Sequence, residues 1–293
     1  MTPFTNKYRS LSAAKDKSLL RQAPSFVWKR FKDGVELRVS LYAPIGHTAD
    51  SRLPAVLFFY GGMWALDYEE EFVSWARHLA SRGIVCFIPE YRSHARYDVT
   101  ADEIVHEGIE AWRWLYANAA GLGVDARRIT LAGADAGGLM ALNAAMQPIV
   151  KKRRWWRIGS RDELPLTPAC VAIFRGVVDT DAPEARLLRA SVESSSPESI
   201  NPWALLRKKL PPLFCAHGMQ DPLLDYELRE DFCYEWQRLG NKAELVLCPH
   251  GDHTLTHFEV NPTIFEQILL SWELFMIQNS IWPEDTMEES TLL

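Results

Sequence analysis

Asp135 stands at the centre of Gly133-Ala134-Asp135-Ala136-Gly137-Gly138, directly after the strand-like run Arg128–Ala132 and ahead of a segment rich in Ala, Leu and Met. A strand, a G-x-X-x-G turn and a helix make a setting in which close-packed glycines let the central side chain project from a strained turn at a helix N-terminus. Ser is the usual occupant of such an elbow, and a carboxylate takes its place here. The positive end of the helix dipole and the free N–H groups of the first turn favour an anion, so Asp135 is expected to be ionised at neutral pH. Two later segments hold groups that could work with it. Leu213–Asp221 reads LFCAHGMQD, a strand followed by His217-Gly218 and an acid, and Cys248–Phe258 reads CPHGDHTLTHF, which sets His253 just beyond the last strand-like run. Elbow, acid and histidine therefore follow one another in the order that serves a nucleophile whose base is a later His oriented by an acid.

Three kinds of chemistry are open to Asp135. As a covalent nucleophile it would form an ester-type intermediate that a His-activated water cleaves. Paired with His253 it could instead act as acid and base in a cyclisation, aldol-type or elimination step, with backbone N–H groups stabilising an enolate. Third, the elbow could be inert and the pocket could only bind a ligand, since a fold does not by itself fix a function. His217, His250 and His257 read as structural or exposed. The five cysteines, Cys86, Cys170, Cys215, Cys233 and Cys248, are widely spaced in mostly apolar segments and suggest neither a disulfide framework nor a metal pair. No cofactor or metal is expected.

These residues need a scaffold, and apolar runs alternating with helical patterns after residue 34 predict strands joined by helical crossovers, hence an α/β chain with a mostly parallel sheet. Strands are expected at Val35–Tyr42, Ala55–Tyr60, Ile84–Ile88, Arg128–Ala132, Leu213–Ala216 and Ala243–Leu247, and helices near 70–82, 101–119, 226–239 and 262–279. The regular pattern stalls over Lys151–Pro168, which is basic and aromatic, and over Asp179–Pro202, which is rich in Ser, Pro and acids. The expectation is one domain over 1–293, with a core of about 34–280, a cap insertion of about 145–202, and a frayed acidic tail at 284–293.

Composition limits the partners. The chain has 32 Lys+Arg against 38 Asp+Glu, a formal net charge of −6, so it has no general attraction for nucleic acid or anionic lipid. Neither a signal-peptide core nor an apolar run long enough to span a bilayer is visible, so the sequence reads as cytoplasmic. A small-molecule substrate is the expected partner, and nothing in the sequence forbids a homodimer.

The motifs together resemble the α/β-hydrolase superfamily, and within it the hormone-sensitive-lipase-like and kynurenine-formamidase-like esterases. The likeness covers roughly Leu37–Phe275. Tyr60-Gly61-Gly62-Met63-Trp64 is similar to the H-G-G-x-W loop, Val124–Ile129 to the D-x-x-R-I approach to the elbow, and Gly133–Gly138 to G-x-S-A-G-G. The resemblance implies Asp221 as triad acid, His253 as triad base, and the N–H groups of Gly61, Gly62 and Ala136 as oxyanion-hole donors. Tyr60 and Trp64 are candidate pocket residues, against a reading of Tyr60 as a buried aromatic closing the strand and of Trp64 as core. Activity on an ester, lactone, thioester or related carbonyl compound follows as the expected function. Two departures stand out: Asp135 replaces the nucleophilic Ser and Tyr60 replaces the loop His. If acid, base and donors are otherwise intact, Asp135→Ser is expected to raise activity on short p-nitrophenyl esters.

Overall fold

Apolar runs of five to seven residues closed by Gly or Pro form the middle of a single sheet, because strands covered on both faces must be apolar throughout. The computed structural model describes residues 23–62, 69–147, 167–185 and 200–282. Its eight strands are β1 (Ser25–Arg30), β2 (Glu36–Tyr42), β3 (Leu53–Phe59), β4 (Val85–Pro89), β5 (Val124–Ala134), β6 (Cys170–Phe174), β7 (Leu213–Gly218) and β8 (Ala243–Cys248), in the order β1-β2-β4-β3-β5-β6-β7-β8. The pairs β1/β2 and β2/β4 are antiparallel, and every pair from β4 to β8 is parallel.

Helices flank the sheet, the first four in connections between strands and the last after β8. They are α1 (Val73–Ser81), α2 (Ala101–Asn118), α3 (Asp135–Met146), α4 (Tyr226–Arg238) and α5 (Pro262–Gln278). Local sequence sets their starts. Thr100 and Glu103 form a reciprocal capping box on α2, Asp225 caps α4, and Asn261 caps α5 with Pro262 in its first turn. The helix expected at 70–82 divides into a 3-10 turn at Glu69–Phe72 followed by α1. One α1 residue, Trp75, ties several elements together. Its ring lies 4.7 Å from Phe174 and 4.6 Å from Phe265, and its Nε1–H donates to Thr256 O at 3.0 Å.

Two elements lie outside the sequence expectation. The edge strand β1 precedes the core boundary set at 34, pairing antiparallel with β2 where short, half-polar strands blunt an edge. More consequentially, β6 falls inside the span 145–202 assigned to a cap, yet it pairs with β5 and β7 in the middle of the sheet and is fully buried. The span is therefore not one insertion: residues 167–178 belong to the core. Residues 148–166 and 186–199, where any remaining cap would lie, are outside the described residues, as is the tail from 283.

Candidate functional site

The elbow begins with close backbone packing. A Cβ on Gly133 would come within 2.2 Å of Gly137 O, and one on Gly137 within 2.0 Å of Phe59 O, so the turn between β5 and α3 closes only with glycine at both places. The turn leaves Asp135 at φ 48°, in the left-handed region that Asp tolerates better than most residues. Its carbonyl accepts from Val177 N at 3.0 Å, so the segment after β6 holds the elbow in place.

The acid and the histidine arrive from the ends of β7 and β8. A Cβ on Gly218 would meet Gly251 O at 2.3 Å, which brings the two loops together. Asp221 Oδ1 accepts from Leu223 N at 2.8 Å and Leu224 N at 3.1 Å, leaving Oδ2 to face His253 Nδ1 at 2.9 Å. Across the ring, His253 Nε2 lies 3.2 Å from Asp135 Oδ1. The three residues expected from their order in the chain are thus in contact.

Charge governs how they titrate. Burial pushes the Asp135 carboxyl up, but the Arg175 guanidinium, His253 and the Gly62 N–H outweigh it and hold the group well below the usual carboxylate range. Burial pulls His253 down, yet its contacts with Asp135 and Asp221 raise it to about 9. Burial likewise disfavours the Asp221 anion, and hydrogen bonds from His253 and the loop N–H groups more than offset that. The two carboxylates on either side of the ring thus favour its imidazolium form.

Sequence reasoning missed two charged residues at the heart of the site. Arg175, directly after β6 and at φ 45°, is 3% exposed. Its Nε lies 3.1 Å from Asp135 Oδ1, its Nη1 donates to Thr256 Oγ1, and its Nη2 donates to Glu71 Oε1. Arg175 Nε also lies 3.3 Å from His253 Nε2, a hydrogen bond that the ring nitrogen accepts only when unprotonated, while Asp135 Oδ1 is at ion-pair distance from both groups without an aligned hydrogen bond among the described residues. Glu71, in the 3-10 turn before α1, also accepts from Thr256 Oγ1 at 2.9 Å. Burial disfavours the charge on Arg175, but Asp135 and Glu71 on either side raise its pKa and keep it cationic.

One of the expected oxyanion-hole donors is already occupied. Gly61 N–H donates to Glu71 Oε2 at 2.7 Å, while Gly62 N–H favours the Asp135 anion electrostatically. Ala136, fully buried, lies in the first turn of α3, whose N–H groups have no acceptor inside the helix. Tyr60 is buried and stacks on Tyr91 at 4.4 Å, with its carbonyl accepting from Tyr91 Oη. It lines a cleft of about 150 Å³ with Leu37, Glu70, Glu90, Tyr91, Arg96 and Tyr97, a set that includes none of Asp135, Asp221 or His253. Trp64 lies outside the described residues.

The cysteines are interior, but of the other histidines only His217 is buried, with His250 exposed and His257 half-buried. His217 is fully buried, bonded to Leu224 O at 2.9 Å, and burial lowers its pKa to about 4. All five cysteines are buried free thiols. Among the described residues no cluster of His, Cys, Asp and Glu is arranged to hold a metal, and no helix is long and apolar enough to cross a membrane.

Comparison with known proteins agrees with this architecture. The BD-FAE family model matches residues 39–154. Carboxylesterase NlhH of Mycobacterium tuberculosis is 28% identical over 246 residues, which are 78% of this chain and 73% of that protein. Two isoprenylcysteine alpha-carbonyl methylesterases of Arabidopsis thaliana, one of them a probable assignment, are 24% and 25% identical over 74% of this chain. The chain spans about half their length, 48% and 53%. Among solved structures, esterase Est2 of Thermogutta terrifontis superposes with a TM-score of 0.77 at 25% identity, covering 90% of this chain and 95% of that one. In fold and in the order of its motifs the chain is thus similar to α/β-hydrolases, and the relatives compared are esterases.

Proposed function

We propose that the protein hydrolyses a small-molecule carboxylic ester, or a related lactone or thioester, through Asp135, His253 and Asp221. The observation that carries this is His253, which bridges Asp135 Oδ1 at 3.2 Å and Asp221 Oδ2 at 2.9 Å on a strained elbow. Kinship with carboxylesterases and methylesterases supports the ester as substrate class. Asp135 would attack the acyl carbon as a carboxylate, giving a mixed anhydride and expelling an alkoxide. The imidazolium form suits that step, because His253 Nε2–H can hand its proton to the departing oxygen. Acylation removes the negative charge that held His253 protonated, so the ring becomes a base. It then takes a proton from water as that water attacks the anhydride, restoring the Asp135 carboxylate and releasing the acid. Asp221 orients the ring throughout.

Incubation with a panel of acetyl, butyryl and lactone substrates tests this. Turnover by the native chain, lost in Asp135→Asn, is expected, and no turnover of any member would contradict it. A second reading, ligand binding without chemistry, draws on the occupation of the Gly61 N–H by the Glu71 carboxylate. It would be favoured by saturable binding of the same compounds with no product.

A further inference from the structure

An oxyanion hole works by offering free N–H donors where negative charge will develop. In this protein Gly61 N–H is taken by Glu71 Oε2 at 2.7 Å. Glu71 is not loosely placed there. Its side chain is fully buried, its Oε1 accepts from Thr256 Oγ1 at 2.9 Å, and the same oxygen receives Arg175 Nη2. Thr256 is in turn fixed by its carbonyl, which accepts from Trp75 Nε1 at 3.0 Å. Arg175 is fixed on its other edge by Asp135 Oδ1 at 3.1 Å. Elbow, loop after β3, loop after β6 and loop after β8 thus meet in one ion network. That network fills the place where a carbonyl oxygen would bind.

We propose that Glu71, pinned by Arg175, is a latch on the oxyanion hole, so that the site accepts a tetrahedral acyl intermediate only when the Glu71 carboxylate leaves Gly61. The inference takes the acyl chemistry proposed above as its starting point, and it makes Glu71 the residue that decides whether that chemistry is available. It also revises the expectation for Asp135→Ser. A serine at the elbow would inherit His253 and Asp221, yet Gly61 N–H would still be bonded to Glu71. Creating an esterase therefore requires removal of the latch as well as a hydroxyl.

The test compares two chains on p-nitrophenyl acetate. One carries Asp135→Ser alone; the other adds Glu71→Leu and Arg175→Met, which remove the carboxylate and its counter-charge together and leave neither buried unpaired. The second chain is expected to show kcat/KM higher by about 10²-fold or more, the scale of one recovered oxyanion donor. Equal activity in the two, or a folded triple variant without gain, would overturn the latch. Should the triple variant fail to fold, amide hydrogen exchange of Gly61 in the native chain decides: protection is expected, and exchange as fast as that of an open loop amide would overturn the proposal. Because the kinetic comparison is made in serine chains, an inert native protein would count against the proposed function and leave the latch standing.

Discussion

Arg175 Nε and His253 Nε2 approach the same oxygen of Asp135, at 3.1 and 3.2 Å. Two cations thus share one carboxylate oxygen that is almost out of solvent. One of them, His253, is the only member of the cluster with appreciable access, its side chain being 23% exposed. The arrangement favours the imidazolium, and the neutral ring follows either when Asp135 loses its charge or when pH rises through about 9.

A pH–stability dependence follows. The folded pKa of His253 is raised from 6.5 to about 9, so the stability it confers is complete below pH 6.5 and is lost as pH rises through about 9. At about 1.4 kcal/mol per unit, its complete loss amounts to roughly 3–4 kcal/mol, of which about 3 falls between pH 6.5 and pH 9.5. Chemical denaturation of the native chain at pH 6.5 and pH 9.5 is expected to show that fall, and His253→Gln should show much less of it. An identical fall in both proteins would place the titration elsewhere.

Activity should carry the same signature. Since the first step needs Asp135 ionised and His253 protonated, kcat/KM on a responsive ester is expected to decline on the alkaline side with an apparent pKa near 9. An enzyme that needed neutral His253 at the outset would instead gain activity as pH rose past that value. The pH–rate profile of the native chain separates the two.

Arg175 joins two buried carboxylates, and its removal leaves Glu71 and Asp135 without their shared counter-ion. Arg175→Met is expected to cost about 3–5 kcal/mol in urea unfolding, the usual result of stranding a buried charge. Adding Glu71→Leu should recover part of that loss. A single substitution costing less than 1 kcal/mol would show that solvent reaches the network.

Reagents aimed at nucleophilic serine offer a further check. A fluorophosphonate probe is expected to leave residue 135 unlabelled in the native chain and to label it only in the Asp135→Ser background, most readily with the latch removed. Peptide mapping reads the site directly.

Asp135 is legible in the sequence from the glycines of its elbow, Gly133 and Gly137, whereas Asp221 and His253 are legible from their places beyond the last two strand-like runs, in the order elbow, acid, histidine, and from the family resemblance. Such glycines report backbone approaches that no other residue allows, and the structure shows those approaches as contacts a Cβ would violate. Arg175 and Glu71 left no such mark. Glu71 closes a run of three glutamates, Glu69-Glu70-Glu71, which reads as a solvated start to a helix. Arg175 follows Cys170–Phe174, a strand hidden between two irregular stretches, and a lone cation beside Gly176 looks like an exposed strand end. What joins these two residues is tertiary: partners 104 residues apart in the chain, held together by burial rather than by any local pattern.

Intact-mass measurement of the His253→Gln protein after brief exposure to a responsive ester tests the central claim most directly. Without its histidine the enzyme lacks both the base that releases the intermediate and the acid that protonates the leaving oxygen. The ester used is therefore a p-nitrophenyl ester, whose phenolate departs unprotonated while the Asp135 carboxylate remains to attack. The expected result is a mass increase equal to one acyl group, mapping to the peptide that contains Asp135 and absent from a chain that also carries Asp135→Asn. Ester hydrolysis by the native protein with no adduct on Asp135 in the His253→Gln chain, at any time sampled, would contradict the assignment of Asp135 as nucleophile.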